Sequence, residues 1–394
     1  MKLFRTLSTT RLVLLSCAVA IVVAGGAFAV AARGGGGATP APKPLANAIH
    51  DALAAAEPAG VTARIAFTNK LFPSGALTGQ AGPALMSNAR GRLWADSTGG
   101  RLELQSDAGD TQIVWSETKV TVYDATSNTA YVADLPAKKE SAAGSGIPSL
   151  DRITAFLTDL AKHWSVSGAQ PANVAGHEAY SVTISPSHDG GLLGSAQLAW
   201  DAMHGVPLRI AVYAQGSSTP VLALQATDIS FGAVSASDLA VAPPAGAKIV
   251  DLSSQAGSSP PGGKQGAPIT GLAAVQAAAP FAVVAPETLV GLPRRDVRLV
   301  GPSDGRSAVV VYGQGLGAIV VVERKRDAQP AAGAAAGGGG MLGALPSISL
   351  DGGTAHELST QLGTVLGWDS AGVTYVLAGS IPPSAAESAA RSLK

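Results

Sequence analysis

Hydrophobic residues recur at every second position from Val61 onward, a period typical of β-strands that bury one face. Polar or small residues such as Arg64, Glu103 and Gln105 occupy the positions between them. The alternating hydrophobic positions of the first runs are Ala63, Ile65, Phe67, Leu102, Leu104, Ile113, Trp115, Val120 and Val122. Turn-forming residues separate the runs, for example the segment 107–110. The pattern predicts an antiparallel meander with one apolar face and one polar face.

In two segments of this part of the chain, the hydrophobic residues have the spacing of an α-helix instead. A short amphipathic helix is predicted near Leu45, and a longer one from about Ser149 to Trp164, just after Pro148. The apolar positions of the longer helix are Leu150, Ile153, Leu157, Leu160 and Trp164. Strands then resume at Tyr180-Val182-Ile184, Ala196-Leu198-Trp200, Leu208-Ile210-Val212, Leu222-Leu224 and Ile229-Phe231.

A second region, residues 269–394, mixes helix and strand. An alanine-rich helix is predicted around residues 272–278, and Ser384 and Glu387 have the spacing of a capping box at the start of a closing helix. Strands are predicted at Phe281–Ala285, Val297–Val300, Ala308–Tyr312, Ala318–Arg324, Thr364–Trp368 and Thr374–Ala378. The glycine- and alanine-rich stretch 331–340 is predicted to be disordered.

Composition divides the chain into five segments. We predict a signal anchor or signal peptide at 1–33, a Gly/Pro linker at 34–44, a curved-sheet domain at 45–252, a linker at 253–268 and a C-terminal α+β domain at 269–394. Both linkers are rich in glycine or proline and lack the hydrophobic residues that would form a core.

The N-terminal segment predicts export. Lys2, Arg5 and Arg11 precede an uncharged run of 21 residues (12–32), long enough to cross about 30 Å of hydrocarbon. The positive charges place the N-terminus in the cytoplasm and the body of the protein outside. Three alternatives remain: a membrane anchor, cleavage at a small-x-small site within residues 27–31, or lipidation at Cys17. We therefore expect a single-pass membrane protein with an extracytoplasmic body, or a secreted protein if the signal is cleaved.

Charge and cysteine content exclude several classes of function. Lys+Arg and Asp+Glu balance at 27 each, so no basic field gathers nucleic acid and we expect none as partner. The single cysteine, Cys17, lies in the N-terminal apolar run, so the remaining chain has no disulfide, thiolate nucleophile or cysteine metal site.

No motif for catalysis or cofactor binding stands out. The stretch 313–317 (GQGLG) lies between two predicted strands without the continuation of a dinucleotide loop, so we interpret it as a hairpin turn. The six histidines are scattered, and no carboxylate pair has a spacing that indicates acid–base work. We predict a non-enzymatic protein without catalytic, cofactor or metal residues; a hydrolase acting on wall or lipid is an alternative without a motif behind it.

Three ordered segments carry a resemblance to a known superfamily. They are Gln112–Asp124 with the sequence QIVWSETKVTVYD, Val174–Val182 with VAGHEAYSV, and Trp200–Arg209 with WDAMHGVPLR. Together they resemble the LolA/LolB/RseB superfamily of periplasmic lipoprotein carriers and sigma-factor regulatory sensors, over about residues 60–250. The C-terminal region resembles a small bacterial envelope domain of unknown function.

The resemblance implies a mainly β fold with α: a curved, incomplete antiparallel β-barrel wrapped on helices, whose apolar side holds acyl chains. The expected lipid-binding positions are Ile65, Phe67, Leu102, Leu104, Ile113, Trp115, Val120, Val122, Leu198, Trp200, Leu208 and Ile210. The hypothesis is a membrane-tethered protein that binds a lipid or lipoprotein acyl chain. The alternatives are a solidly packed sheet face without a cavity, and an RseB-like regulator that binds a membrane anti-sigma factor or similar partner.

Overall fold

A computed structural model describes residues 37–71, 87–135, 147–187, 191–252, 269–301, 305–326 and 345–393. Its contacts divide the chain into two units. The first unit contains the described residues 37–70, 87–135, 147–187 and 194–252. The second contains Leu71, residues 191–193 and all described residues from 269 onward. The predicted anchor at 12–32, the linker 253–268 and the glycine-rich stretch 331–340 lie outside the described residues.

The first unit is built on one large sheet. Its helices and strands are α1 (Leu45–Ala54), β1 (Val61–Asn69), β2 (Ala89–Ala95), β3 (Gly99–Ser106), β4 (Gly109–Ser116), β5 (Lys119–Asp124), β6 (Thr129–Asp134), α2 (Leu150–Leu160), β7 (Trp164–Val166), β8 (Gln170–Val174), β9 (His177–Pro186), β10 (Leu193–Asp201), β11 (Pro207–Ala214), β12 (Pro220–Phe231), α3 (Ala236–Leu239) and β13 (Lys248–Asp251).

The sheet order is β13-β6-β5-β4-β3-β2-β1-β12-β11-β10-β9-β7, with β8 also paired to β9. Its two edges do not meet, so the prediction of a mainly β fold around an unclosed sheet is confirmed. Strands β1 to β6 pair antiparallel in chain order, as the meander pattern predicts. Strand β13 differs: it pairs parallel with β6, which makes the sheet mixed.

Two of the predicted element boundaries differ from the structure. Helix α2 ends at Leu160, and Trp164 begins strand β7, where its backbone pairs with Pro186 on β9. Ser149 caps the helix by accepting a hydrogen bond from the Arg152 N–H. The two strands predicted near residues 222 and 231 form one strand, β12, in which Thr227 is an extra residue that bulges against β1.

Strand register places the alternating hydrophobic residues on one side of β1–β5. Leu93 pairs with Leu102, Leu102 with Ile113, and Ile113 with Val122. Paired residues in antiparallel strands project from the same face, so these four side chains form a continuous cross-strand row. We call this side of β1–β6 the apolar face. Arginines, Glu103 and Gln105 alternate onto the other side.

Trp115 requires a glycine in the neighbouring strand. It pairs with Gly100, and a Cβ built on Gly100 would lie 2.1 Å from Cζ2 of the indole. Real Cβ atoms do not approach a ring this closely, so only glycine lets the indole cover strand β3 at this point. Gly99 and Gly100, which have the composition of a turn, are thus the first residues of strand β3.

The predicted helix near Leu45 packs against the sheet through a separate cluster. Ala48 is buried together with Tyr180, Val182 and Trp200. The chain just before the helix is also attached: the Tyr180 hydroxyl donates to the Ala41 carbonyl at 2.6 Å, and Asn173 Nδ2 donates to the Ala38 carbonyl at 2.9 Å. The described part of the predicted Gly/Pro linker is thus hydrogen bonded to β8 and β9.

The second unit contains a smaller, antiparallel sheet. Its elements are β14 (Ile269–Thr270), α4 (Leu272–Ala278), β15 (Thr288–Leu289), β16 (Leu292–Val300), β17 (Ser307–Tyr312), a 3₁₀ turn (Gly315–Gly317), β18 (Ile319–Lys325), β19 (Ser347–Leu350), β20 (Gly353–Thr360), β21 (Gly363–Ser370), β22 (Val373–Gly379) and α5 (Pro383–Arg391). The order is β14-β16-β17-β18-β22-β21-β20-β19, with β15 on β16. Helices α4 and α5 pack on the apolar side of this sheet through Val275 and Ala386.

Two predictions for the second unit are wrong. Residues 281–285 do not form a strand: Val283 is buried and the Val284 N–H donates to the Glu323 side chain, so a carboxylate replaces the neighbouring strand. The capping box at Ser384 does not form either. In the described structure Pro382 occupies the N-cap, Pro383 begins helix α5, and no side chain caps it.

We predict that Gly100→Ala destabilises the first unit because the added methyl group displaces the Trp115 indole. The free energy of unfolding, measured by urea titration, should fall by about 1–3 kcal/mol. The matched control is Gly168→Ala, whose Cβ would meet its nearest neighbour at 3.8 Å and should change stability by less than about 0.5 kcal/mol. Equal effects of the two substitutions would contradict the packing assigned to Gly100.

Candidate functional site

The structure brings most of the predicted lipid-binding positions onto the apolar face. Eight of them lie on β1, β3, β4 and β5 with side chains on the same side: Ile65, Phe67, Leu102, Leu104, Ile113, Trp115, Val120 and Val122. Ile210 joins them in register, because it pairs with Leu224 and Leu224 pairs with Phe67. Leu208 packs into the same hydrophobic cluster. Leu198 and Trp200 do not; they belong to the cluster under helix α1.

Burial on the apolar face falls from its centre toward β5 and β6. Ile65, Leu104 and Trp115 are 5%, 2% and 6% exposed, as expected for core residues. Leu102, Ile113 and Val122, which form one cross-strand row, are only half-buried. Hydrophobic side chains therefore remain accessible across three adjacent strands.

Charge is nearly absent from the apolar face of β1–β6. By register, the one charged residue that these described strands place there is Asp124, opposite Thr111. Its carboxylate accepts hydrogen bonds from the Thr126 N–H at 3.0 Å and the Ser127 hydroxyl at 2.6 Å. The lysines and arginines of these strands project from the opposite side. The face therefore suits a neutral hydrocarbon better than an anion.

Two buried polar atoms on the apolar face have no hydrogen-bond partner among the described residues. They are Trp115 Nε1 and Thr111 Oγ1. An unsatisfied buried donor costs about 1–3 kcal/mol, so such atoms in a native structure call for an explanation such as a bound molecule.

A histidine–aspartate cluster lies at the turn between β10 and β11. His204 Nδ1 is 2.9 Å from Asp201 Oδ1, His177 Nδ1 is 3.5 Å from Asp201 Oδ2, and both imidazoles contact the Phe231 ring. These histidines are scattered along the sequence, and their spacing did not indicate a cluster. The pairing of Ala179 with Asp201 between β9 and β10 brings them together in the fold.

Asp201 stabilises the hairpin turn between β10 and β11. Its buried carboxylate also accepts hydrogen bonds from the Met203 N–H at 3.0 Å and the His204 N–H at 2.6 Å. Within the described residues no group of three or more His, Cys, Asp or Glu side chains is arranged to hold a metal ion. The Asp in the WDAMHGVPLR segment is thus explained by turn geometry.

A buried carboxyl group lies in the core of the second unit. Glu323 is fully buried on β18; its Oε2 accepts the Val284 N–H at 2.9 Å, and its Oε1 has no partner among the described residues. Burial raises the pKa of Glu323 to about 7, although the Val284 hydrogen bond opposes this shift. Burial, together with the nearby Glu323, raises the pKa of Tyr312 and of Tyr375 to about 12.

Comparisons with known proteins give similarities of fold. No protein-family model matches the chain, and no curated protein does. Among solved structures, the Pseudomonas aeruginosa MucA/MucB complex is 13% identical, covering 87% of this chain and 95% of that one, with a TM-score of 0.40. A LolA superfamily protein from Nitrosomonas europaea is 7% identical over 50% of this chain and 98% of that one, with a TM-score of 0.22.

A third similar structure is a putative outer membrane lipoprotein-sorting protein domain from Vibrio parahaemolyticus, 10% identical over 49% of this chain and 95% of that one, with a TM-score of 0.22. The structural neighbours are thus MucB and LolA-superfamily proteins, as the sequence resemblance predicts. At TM-scores below 0.5, none of them assigns a role to a residue of this chain. Among the described helices, none has the length and hydropathy needed to cross a membrane.

We predict that the free energy of unfolding of the second unit falls as the pH rises from about 4.5 to about 7, because of Glu323. Because folding raises the pKa from 4.5 to about 7, the protonated group stabilises the fold fully below about pH 4.5, and this contribution is lost as the pH rises to about 7. In Glu323→Gln, the decrease in the free energy of unfolding over this pH range should be smaller by roughly 1–3 kcal/mol. Urea unfolding of the second unit at a series of pH values measures it. The control is Glu287→Gln at an exposed position, and an unchanged pH profile in Glu323→Gln would contradict the assignment.

Proposed function

We propose that this chain is an exported, membrane-tethered binding protein that holds a lipid or lipoprotein acyl chain on the apolar face of its first unit. The observation that carries this proposal is the half-buried row of Leu102, Ile113 and Val122, which runs across three strands next to the buried residues of the same face. In a solidly packed sheet face, the centre of such a row would be covered as fully as Leu104 is.

The energetics of acyl binding require no charged group. Each methylene removed from water contributes about 0.8 kcal/mol, so a dozen methylenes contribute on the order of 10 kcal/mol before the costs of association. The apolar face matches such a ligand because its hydrophobic side chains are continuous from β1 to β5, and the lysines and arginines of these described strands project from the opposite side. Binding of this kind requires no catalytic residue.

Export and tethering are supported by the sequence at the N-terminus. Three basic residues before the apolar run 12–32 orient the chain with its body outside the cytoplasm. In the described structure, residues 38–41 are held to β8 and β9 by the Asn173 and Tyr180 side chains. An anchor at 12–32 would therefore hold the sheet close to the membrane surface through a short connection.

Val122→Asp should weaken binding of a neutral apolar probe, because a carboxylate among hydrocarbon groups must be desolvated or protonated. We expect about a tenfold or greater loss in affinity for N-phenyl-1-naphthylamine, followed by fluorescence on the full chain in a bile-salt detergent that has no alkyl chain. The matched control is Thr121→Asp, which places the same group on the polar side of the same strand. Urea unfolding checks that both variants fold, and equal probe affinities in the two folded variants would contradict the proposed site.

A second candidate function is the binding of a membrane regulatory protein such as an anti-sigma factor. The observation that favours it is strand β13, which lies at the edge of the large sheet and carries Ile249 with 58% of its surface exposed. Edge strands accept a strand from a partner, and an exposed isoleucine there gives the partner an apolar contact.

This candidate predicts that a photo-crosslinker placed at Ile249 in the full chain captures a membrane protein, whereas one placed at exposed Asp134 on β6 captures much less of it. Mass spectrometry of the captured protein identifies its class. Identical capture patterns at the two positions would argue against an interface at β13.

A further inference from the structure

Trp115 is a hydrophobic side chain with one unsatisfied hydrogen-bond donor. The residue is 6% exposed, and its Nε1–H has no acceptor among the described residues. The indole lies over Gly100 on β3, and on β5 its neighbour is Val120, which is half-buried. The donor is therefore enclosed in the apolar face at the point where that face becomes accessible.

A molecule that fills this site gains by bringing an acceptor to the indole. Buried tryptophan N–H groups ordinarily find a partner, and an unpaired one costs about 1–3 kcal/mol. Hydrocarbon alone would cover the ring and leave this cost in place. An acyl chain with an oxygen acceptor would bury its methylenes on the face and satisfy the donor as well.

Charge on the face distinguishes between the possible acceptors. A fatty acid anion would need a cation, and the described strands β1–β6 place no lysine or arginine on this side. Asp124, the one charged residue that these strands place on this side, is opposite Thr111 and supplies no cation. A neutral carbonyl oxygen of an ester or amide accepts a hydrogen bond and needs no cation.

Thr111 is the other unpaired donor on the face, and it is less suited to this role. It lies four residues from Trp115 along β4, about 14 Å away in an extended strand. Its cross-strand partner is Asp124, so an incoming carbonyl oxygen would approach a carboxylate. Its hydroxyl can also rotate, whereas the indole N–H has a fixed direction in its packed ring.

We propose that the ligand of the apolar face is an acyl chain in ester or amide linkage, and that its carbonyl oxygen accepts a hydrogen bond from Trp115 Nε1–H. The inference rests on the proposed function and specifies the chemical group at the end of the acyl chain, a neutral ester or amide carbonyl. It describes neutral acyl groups, such as those of glycerolipids or acylated proteins, and excludes free fatty acid anions as the preferred ligand.

The test compares three competitors with the same hydrocarbon length: an alkane, a methyl ester and a fatty acid. Each displaces N-phenyl-1-naphthylamine from the full chain in a bile-salt detergent. The wild-type protein should bind the ester about three- to tenfold more tightly than the alkane, as expected for one neutral hydrogen bond in a dry site. The fatty acid should bind more weakly than the ester at pH 8.

Trp115→Phe removes the donor and keeps an aromatic ring, and Thr111→Val is the matched control at the other unpaired donor. In Trp115→Phe the preference for ester over alkane should disappear, while alkane binding persists and reports that the site is intact. Thr111→Val should keep the preference. The ratio of ester to alkane affinity cancels any general loss of packing caused by the smaller ring.

Each other outcome overturns a stated part of the proposal. An ester preference that survives in Trp115→Phe, or that is lost only in Thr111→Val, contradicts the role of Trp115. Tighter binding of the fatty acid than of the ester contradicts the preference for an uncharged ester or amide group. If no competitor displaces the probe from the wild-type protein, the acyl-binding function itself fails, and this result is distinct from the other two.

Discussion

Cross-strand register in β1–β6 is the constraint on which the rest of the first unit depends. A shift of one residue at any of these pairings would carry a whole set of hydrophobic side chains to the opposite face. The pairings of Leu93, Leu102, Ile113 and Val122 keep four strands in phase, so that apolar and charged side chains are separated across the sheet. Gly100 contributes to the same register because it lets the Trp115 indole lie over strand β3.

Much of this arrangement could be predicted from the sequence, since an alternation with period two depends only on neighbouring residues. The strand positions of Ile65, Leu104 and Val122 and their common face follow from that pattern. Long-range features could not be predicted in the same way. The parallel pairing of β13 and the attachment of residues 38–41 to β8 and β9 depend on contacts more than 100 residues apart in the chain.

The candidate site shows the same division between local pattern and tertiary contact. Hydrophobic periodicity identified Trp115 as a member of the apolar face, but its unsatisfied N–H became visible only with the surrounding atoms in place. The cluster of His177, Asp201 and His204 was missed because β9 and β10 bring together residues 24 or more positions apart. The burial of Glu323 was not predicted for a related reason. A single glutamate in a valine-rich strand is expected to face solvent, whereas the fold buries it completely.

The first unit is attached to the rest of the chain near both edges of its sheet. Residues 38–41 are bonded to β8 and β9 near one edge, and β13, the last strand before residue 252, forms the other. Tension applied to the two ends would therefore act across the strands and load the backbone hydrogen bonds between them one ladder after another. The ladders that pair Leu102 with Ile113 and Ile113 with Val122 lie between these two edges in the strand order.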